Sequence, residues 1–306
     1  ITFVTSITAP TITTVAISSK TSSSATSGGT SIYDGGSAVT AKGIVWGTSS
    51  LPTIALTTKT TDGSGSTAFT SQLTQLNANA TYYVRAYVTT SFGTEYGNQI
   101  SFTTPADPPS LTTVPVTSIS SSTAFSGGNI ISDGNGSITA KGVVWSTFSE
   151  PTISLSTKST NGVGSASYSS NIVSLLPANT YYVRAYATNS GGTAYGNELK
   201  FTTLAVIPSI TTTTPSTSTD IFATSAILGG NVTNDGGATV TEKGVVWSKF
   251  SNPTIDDAKQ AGGSGLGSFS TSVTNLSRGT RYYVRAYALN SMGINYGNEI
   301  NFTTKP

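Results

Sequence analysis

The sequence predicts an all-β protein of three tandem antiparallel β-sandwich domains arranged as an elongated rod. Three observations carry that expectation. A block of about one hundred residues is written three times, a period suited to a whole small domain. Within each block apolar and polar residues alternate with the period of a strand. Gly, Asn, Asp and Pro fall between the alternating runs at turn spacing, and no helical period appears.

The repeats are fixed by their landmarks. Trp46, Trp145 and Trp247 stand in "KGIVW", "KGVVW" and "KGVVW", 99 and 102 residues apart. That interval is too long for a solenoid unit. Residues 10–104, 105–203 and 204–306 are therefore three sandwich repeats. Residues 1–9 read as the last strand of a preceding repeat plus linker, because "ITFVTSITAPTIT" aligns with "ISFTTPADPPSLT" from Ile100. The joints "TTPADPPSLTT" and "TTLAVIPSITTTTPST" are short and carry proline, which favours extended backbone and limited bending. Strands of about seven residues rise ~23 Å, so three repeats with turns and joints predict a rod longer than ~80 Å.

Each strand follows from local pattern. In the first repeat alternation predicts strands near Thr11–Ser18 and Ala25–Ile32, with the glycines of "DGG" at Asp34 making a hairpin turn. A third strand, Thr40–Thr48, holds Trp46, and Gly28, Gly29 and Ala86 are expected to leave room for its ring. An edge segment near Lys59 follows, then a strand from Ser66 to about Leu76. The last two strands lie in "TYYVRAYVTTSFGTEYGNQISFTT", residues 81–104, which returns as "TYYVRAYATNSGGTAYGNELKFTT" and "RYYVRAYALNSMGINYGNEINFTT". The loops "SFG", "SGG" and "SMG" read as a type I turn closed by a glycine bulge.

Pairing Thr90 with Thr94 sets Tyr82 opposite Phe102 and Val84 opposite Ile100, on the core face. The other face then pairs Tyr83 with Ser101, Arg85 with Gln99 and Tyr87 with Gly97. In the later copies Arg184 falls opposite Glu198 and Arg285 opposite Glu299, predicting cross-strand ion pairs. Tyr186 and Tyr287 likewise fall over Gly196 and Gly297, an aromatic ring covering a cross-strand glycine.

The stretch "LSRGTRYYVRAYALNSMG", Leu276 to Gly293, resembles the approach to the penultimate strand of fibronectin type III domains in its Leu276, Gly279, Thr280, Tyr282 and Val284 spacing. The resemblance implies an immunoglobulin-like sandwich with Tyr82, Tyr181 and Tyr282 as tyrosine-corner residues, bonded to backbone a few residues upstream. The tryptophan departs from it. Fibronectin type III domains usually carry theirs on the second strand, whereas Trp46 sits on the third, as in immunoglobulin domains. The whole repeat "GGNVTNDGGATVTEKGVVWS…YYVRAYALNSMGINYGN" resembles repeats strung along large secreted or cell-surface proteins of Bacteroidota. That implies export, and roles in adhesion, gliding, surface layers or spacing.

Composition excludes whole function classes. With no cysteine and no histidine there is neither a disulfide framework nor a Cys/His metal site, and the commonest acid, base and thiol nucleophile are missing. The net charge of +2 is scattered and leaves no footprint for nucleic acid. No apolar run reaches membrane-span length, and nothing reads as a signal peptide. The adjacent acids Asp256 and Asp257 fall in a loop of one repeat only. Asp34, Asp133 and Asp235 offer one carboxylate per turn, too few for calcium. The glycine-rich "DGSGS" and "AGGSGLGS" lack a phosphate-binding lysine and a helix. The N-x-S/T triplets at Asn79, Asn135 and Asn275 are expected by chance in a chain this rich in Ser and Thr. No catalytic residue, cofactor or metal is therefore expected.

The expected function is a non-catalytic structural or spacer segment of an extracellular bacterial repeat protein: an adhesin stalk, surface fibre or sheath. Its partners would be neighbouring repeats of the same or an identical chain. One alternative is a glycan- or protein-binding module using an exposed stripe: Tyr83, Arg85, Tyr87, Tyr182, Arg184, Tyr186, Tyr283, Arg285 and Tyr287. In that reading Arg85, facing neutral Gln99, is the freest. A second alternative is a filament subunit joined by addition of the strand Ile1–Thr5.

Overall fold

A computed structural model of the chain describes residues 8–306, so the strand expected at Ile1–Thr5 lies outside the described residues. The first sandwich is built from β1 (Thr11–Ser18), β2 (Ala25–Tyr33), β3 (Ala41–Gly47), β4 (Phe69–Leu73), β5 (Thr81–Thr90), β6 (Gly93–Tyr96) and β7 (Ile100–Thr103). One sheet has the order β1-β2-β4; in the other, β5 pairs with β3 on one side and with β6 and β7 on the other. The turn at Asp34 therefore carries the chain from one sheet to the other and closes no hairpin. The second sandwich repeats this with β8 (Ser110–Thr117), β9 (Ala124–Ser132), β10 (Ala140–Ser146), β11 (Tyr168–Ile172), β12 (Thr180–Asn189), β13 (Gly192–Tyr195) and β14 (Leu199–Thr202). The third has β15 (Ser209–Thr213), β16 (Ala226–Asn234), β17 (Glu242–Ser248), β18 (Ala258–Gly263), β19 (Gly267–Val273), β20 (Arg281–Asn290), β21 (Gly293–Tyr296) and β22 (Ile300–Thr303). Among the described residues every strand pair is antiparallel, and none joins one repeat to another.

The expected edge segment is present, and its side of the sandwich is decided by packing. It bridges β3 through Val45 and Lys59, with Thr60 N–H donating to Ile44 O at 2.9 Å and Asp62 N–H to Lys42 O at 2.7 Å. The third repeat completes it as β18. It therefore extends the β3 sheet, whereas the constant-type immunoglobulin order places its fourth strand beside β4.

The core lies between the sheets. Ile44, Leu73, Val84 and Val88 are fully buried in the first sandwich, with Trp46 among them. Trp145 and Trp247 join the corresponding clusters. The glycine pair on β2 does not make room for the tryptophan. A Cβ at Gly28 would meet the carbonyl oxygen of Phe69, and one at Gly29 would meet the Phe69 ring and Ile12 Cδ1, the latter at 2.7 Å. These glycines admit the backbone and aromatic ring of β4.

Consecutive sandwiches touch through loops. Asn79 Nδ2 donates to Asn135 O at 2.6 Å, and Asn135 Nδ2 donates back to Ala78 O at 3.3 Å. At the next junction Ala178 packs where a Cβ on Gly237 would fall. Each linker is pinned to the turn after the second strand of its repeat: Thr8, Asp107 and Val206 donate N–H to Gly35, Gly134 and Gly236 at 2.8–2.9 Å. The turn aspartates act locally. Asp34, Asp133 and Asp235 each accept the N–H two residues on, at 2.8–3.0 Å.

Candidate functional site

The outer face of the β3–β5 sheet is where the Tyr-Arg-Tyr stripe places its side chains. Strand alternation sends Tyr82, Val84, Ala86 and Val88 into the core and Tyr83, Arg85 and Tyr87 outward. The tyrosine corner forms in all three copies. Tyr82, Tyr181 and Tyr282 accept the N–H of Asn77, Leu176 and Ser277 at 2.9–3.0 Å. Each ring stacks on Phe102, Phe201 or Phe302 with centroids 5.8–6.0 Å apart.

The register of the last hairpin differs from the expectation at one end. Tyr82↔Phe102, Tyr83↔Ser101 and Val84↔Ile100 pair as expected, but nearer the turn Thr89 faces Thr94 and Tyr87 faces Tyr96. One residue is taken up between them, in Gly97-Asn98-Gln99. A two-residue turn, Ser91-Phe92, with Gly93 at φ +117°, tightens the hairpin by that residue.

This irregularity is where the two sheets are fastened together. Asn98 Oδ1 accepts Thr14 N–H from β1 at 3.1 Å, and Thr14 Oγ1 accepts the buried Ala86 N–H at 2.9 Å. The same bonds join Asn197, Thr113 and Ala185, and Asn298, Thr212 and Ala286. Gly97 belongs to this fastening. A Cβ there would lie 2.6 Å from Thr14 Oγ1 and 2.8 Å from Thr14 N, and Gly196 and Gly297 are equally closed by Thr113 and Thr212.

The expected Tyr87-over-Gly97 contact is accordingly corrected. Tyr87 pairs across the other edge of β5 with Gly43, where a Cβ would meet Tyr87 Cε1 at 2.9 Å; Gly142 and Gly244 take Tyr186 and Tyr287 in the same way. The ring does cover a cross-strand glycine, but on β3. Nor are these tyrosines exposed: Tyr87 and Tyr186 keep 4% of their surface and Tyr287 2%. Tyr87 and Tyr186 donate their hydroxyls to Thr60 O and Ser159 O at 2.7–2.8 Å, and Tyr287 donates to Glu242 Oε1 at 2.5 Å. Burial, then the Glu242 carboxylate, push the Tyr287 hydroxyl above the ordinary tyrosine range.

The arginines are used in one way throughout. Arg85, Arg184 and Arg285 lie over the rings of Tyr96, Tyr195 and Tyr296 at 4.3–4.6 Å and donate Nε–H to Gly97, Gly196 and Gly297 carbonyls at 3.1–3.3 Å. The carboxylates expected to pair with them serve a loop instead. Glu198 accepts Glu150 N–H and Glu299 accepts Asn252 N–H, and Gln99 does the same for Leu51. A neutral amide oxygen fills the role as well as a carboxylate, so Arg85 is no freer than its copies. The hydroxyls of Tyr96, Tyr195 and Tyr296 accept Ile54, Ile153 and Ile255 N–H from the same loop at 3.0 Å. The loop is thereby strapped across the sheet, and Val45 and Val144 beneath it are fully buried. Tyr83, Tyr182 and Tyr283 remain half-buried, the last two beside Lys200 and Arg281 at 5.8–6.0 Å.

Sequence reasoning missed the lysine of "KGVVW". Lys42, Lys141 and Lys243 are buried on the core face. Lys42 Nζ donates to Gly65 O, Thr67 O and Thr67 Oγ1 at 2.7–3.1 Å and lies 5.7 Å above the Phe69 ring. Lys141 reaches Gly164 O, Ala166 O and the Tyr168 ring, and Lys243 reaches Leu266 O, Gly267 O and the Phe269 ring. Its threefold recurrence before a glycine was the available signal. Among the described residues no three acidic side chains gather as a metal site would require.

No protein-family model matches this chain. No curated protein matches it either. Among solved structures, a crystal structure of the FN1–FN3 domains of chicken CNTN1 is similar at 14% identity, covering 97% of this chain and all of that one, with a TM-score of 0.32.

Proposed function

We propose that the chain is a structural spacer: a run of β-sandwich modules of an extracellular bacterial repeat protein that holds other parts of its molecule apart. The carrying observation is that two of the three side chains of each stripe are consumed internally, in all three copies. Tyr87, Tyr186 and Tyr287 are buried, and the arginines are stacked and bonded to the chain's own tyrosines and carbonyls. A surface kept for a ligand would leave such anchors exposed. Pinned linkers and loop contacts between repeats fit a module that transmits length. Small-angle scattering tests this: a maximum dimension above ~80 Å is expected from the strand rise, and a compact globule would defeat the spacer reading.

One observation favours recognition, at another place. Phe148 and Phe250 are 79% and 80% exposed on equivalent loops, whose backbone is fixed by the Phe N–H donating to Ser146 or Ser248 Oγ at 3.0–3.2 Å. Exposed aromatics are enriched at protein interfaces. A glycan array probed with the parent and with Phe148→Ser/Phe250→Ser separates the readings, since binding lost in the variant would move the function to these tips.

A further inference from the structure

Two Asn-Gly dipeptides, Asn161-Gly162 and Asn135-Gly136, occupy opposite kinds of environment. In an Asn-Gly pair the following N–H meets no side chain, so it can attack the asparagine amide carbon. The Cγ–Nδ2 bond then breaks, ammonia leaves and a succinimide forms. Water opens that ring to aspartate or isoaspartate. The reaction needs only water, and it needs the amide to be free to turn.

At Asn161 both the oxygen and the nitrogen of the amide are held. Oδ1 accepts Ser159 Oγ–H at 2.8 Å and Ser170 Oγ–H at 2.5 Å, while Nδ2 donates to Ser169 O at 2.7 Å. At Asn135 the side chain is exposed, φ is +60°, and the amide makes one long bond, Nδ2 to Ala78 O at 3.3 Å. That bond is half of the clamp between the first and second sandwiches, whose other half is Asn79 Nδ2 donating to Asn135 O. The junction between the second and third sandwiches, where Ala178 meets Gly237, has no equivalent amide.

We propose that Asn135 is a spontaneous deamidation site that loosens the junction between the first two repeats. Deamidation turns a donor into a carboxylate facing the Ala78 carbonyl, so attraction becomes repulsion between two acceptors. Asn161 is the built-in control. Its amide keeps two more hydrogen bonds than that of Asn135, while at Asn135 the attacking Gly136 N–H must give up one turn bond to Asp133 O at 3.2 Å. The net difference of about one hydrogen bond predicts a rate at Asn161 roughly five- to tenfold lower. Conversion there to aspartate would keep the acceptor role of Oδ1, because Asp62 occupies the same position in the first repeat and accepts Thr60 Oγ1–H at 2.6 Å and Ser71 Oγ–H.

The test is incubation of the full chain at mildly alkaline pH, followed by tryptic peptide mapping. Lys141, Lys158 and Arg184 place Asn135 and Asn161 in separate peptides. The expected result is aspartate and isoaspartate accumulating at Asn135 well before Asn161. Equal rates, or a faster Asn161, would overturn the assignment. Residual dipolar couplings then read the junction: the first two repeats share one alignment tensor in the parent and acquire separate ones in Asn135→Asp. Asn135→Gly, which copies the residue of the other two turns, should lose the reactivity and keep the fold. A shared tensor retained in a correctly folded Asn135→Asp would refute the loosening.

Discussion

Replacing Gly196 by alanine separates two accounts of why this glycine recurs. If it merely lies beneath an aromatic ring on an outer sheet face, a methyl group there should change stability by under ~0.5 kcal/mol, the usual range for a surface substitution. In the structure its Cβ would fall 2.6 Å from both N and Oγ1 of Thr113. The obstacle is backbone, so β8 must move away. Overpacking of this kind typically costs about 1–3 kcal/mol. Displacing Thr113 also withdraws its hydroxyl from the buried Ala185 N–H, a bond of 3.0 Å, and an orphaned buried donor costs about 1–3 kcal/mol more. The sum, ~2–6 kcal/mol, is a large part of the ~5–15 kcal/mol that holds a domain folded. Hydrogen–deuterium exchange with mass spectrometry on the full chain is the assay. Amides of residues 110–202 should lose protection while those of the first and third repeats stay as they were, and the middle repeat should melt at least ~10 °C lower. Unchanged protection in Gly196→Ala would falsify the fastening described for β8.

The same fastening predicts that Thr113→Val, nearly isosteric, destabilises the middle repeat by roughly 1–3 kcal/mol through the unpaired Ala185 N–H, measured by denaturant unfolding. For the buried lysine, Lys141→Met keeps the stem and should cost less than Lys141→Ala, which also removes packing against Tyr168; comparing midpoints of the two variants checks the order. High pH should weaken the second and third repeats. Burial holds the hydroxyls of Tyr168 and Tyr287 above the ordinary tyrosine range, the hydrogen bonds of Tyr168 offsetting part of its shift. The unfolded chain then ionises first, so their stabilisation is complete below about pH 10 and declines as pH rises beyond it. Melting scans of Tyr168→Phe, which copies Phe69 and Phe269, should show the decline removed from the second repeat alone; an unaltered alkaline profile would count against the burial argument.

The sequence by itself determined what local pattern and repetition can encode. Alternation placed β1 and β3 to within a residue, and the paired Tyr82–Phe102 register followed from the core face of β5. But the turn at Asp34 crosses between sheets, and the turn after β5 is one residue tighter than its glycine suggested. The tertiary structure decided everything that depends on a partner from another strand. Gly97 looked like a position waiting for Tyr87 because both lie in one hairpin, yet its constraint is the backbone of β1, more than eighty residues earlier. Tyr87 looked exposed because it alternates outward, but the loop and edge segment between β3 and β4 fold over it. The charge of Glu198 and Glu299 suggested ion pairs, although what the site uses is an acceptor oxygen, which Gln99 supplies equally. Strand periodicity tells which way a side chain points. What it meets there depends on long-range packing, and so does the difference between a binding stripe and a strap.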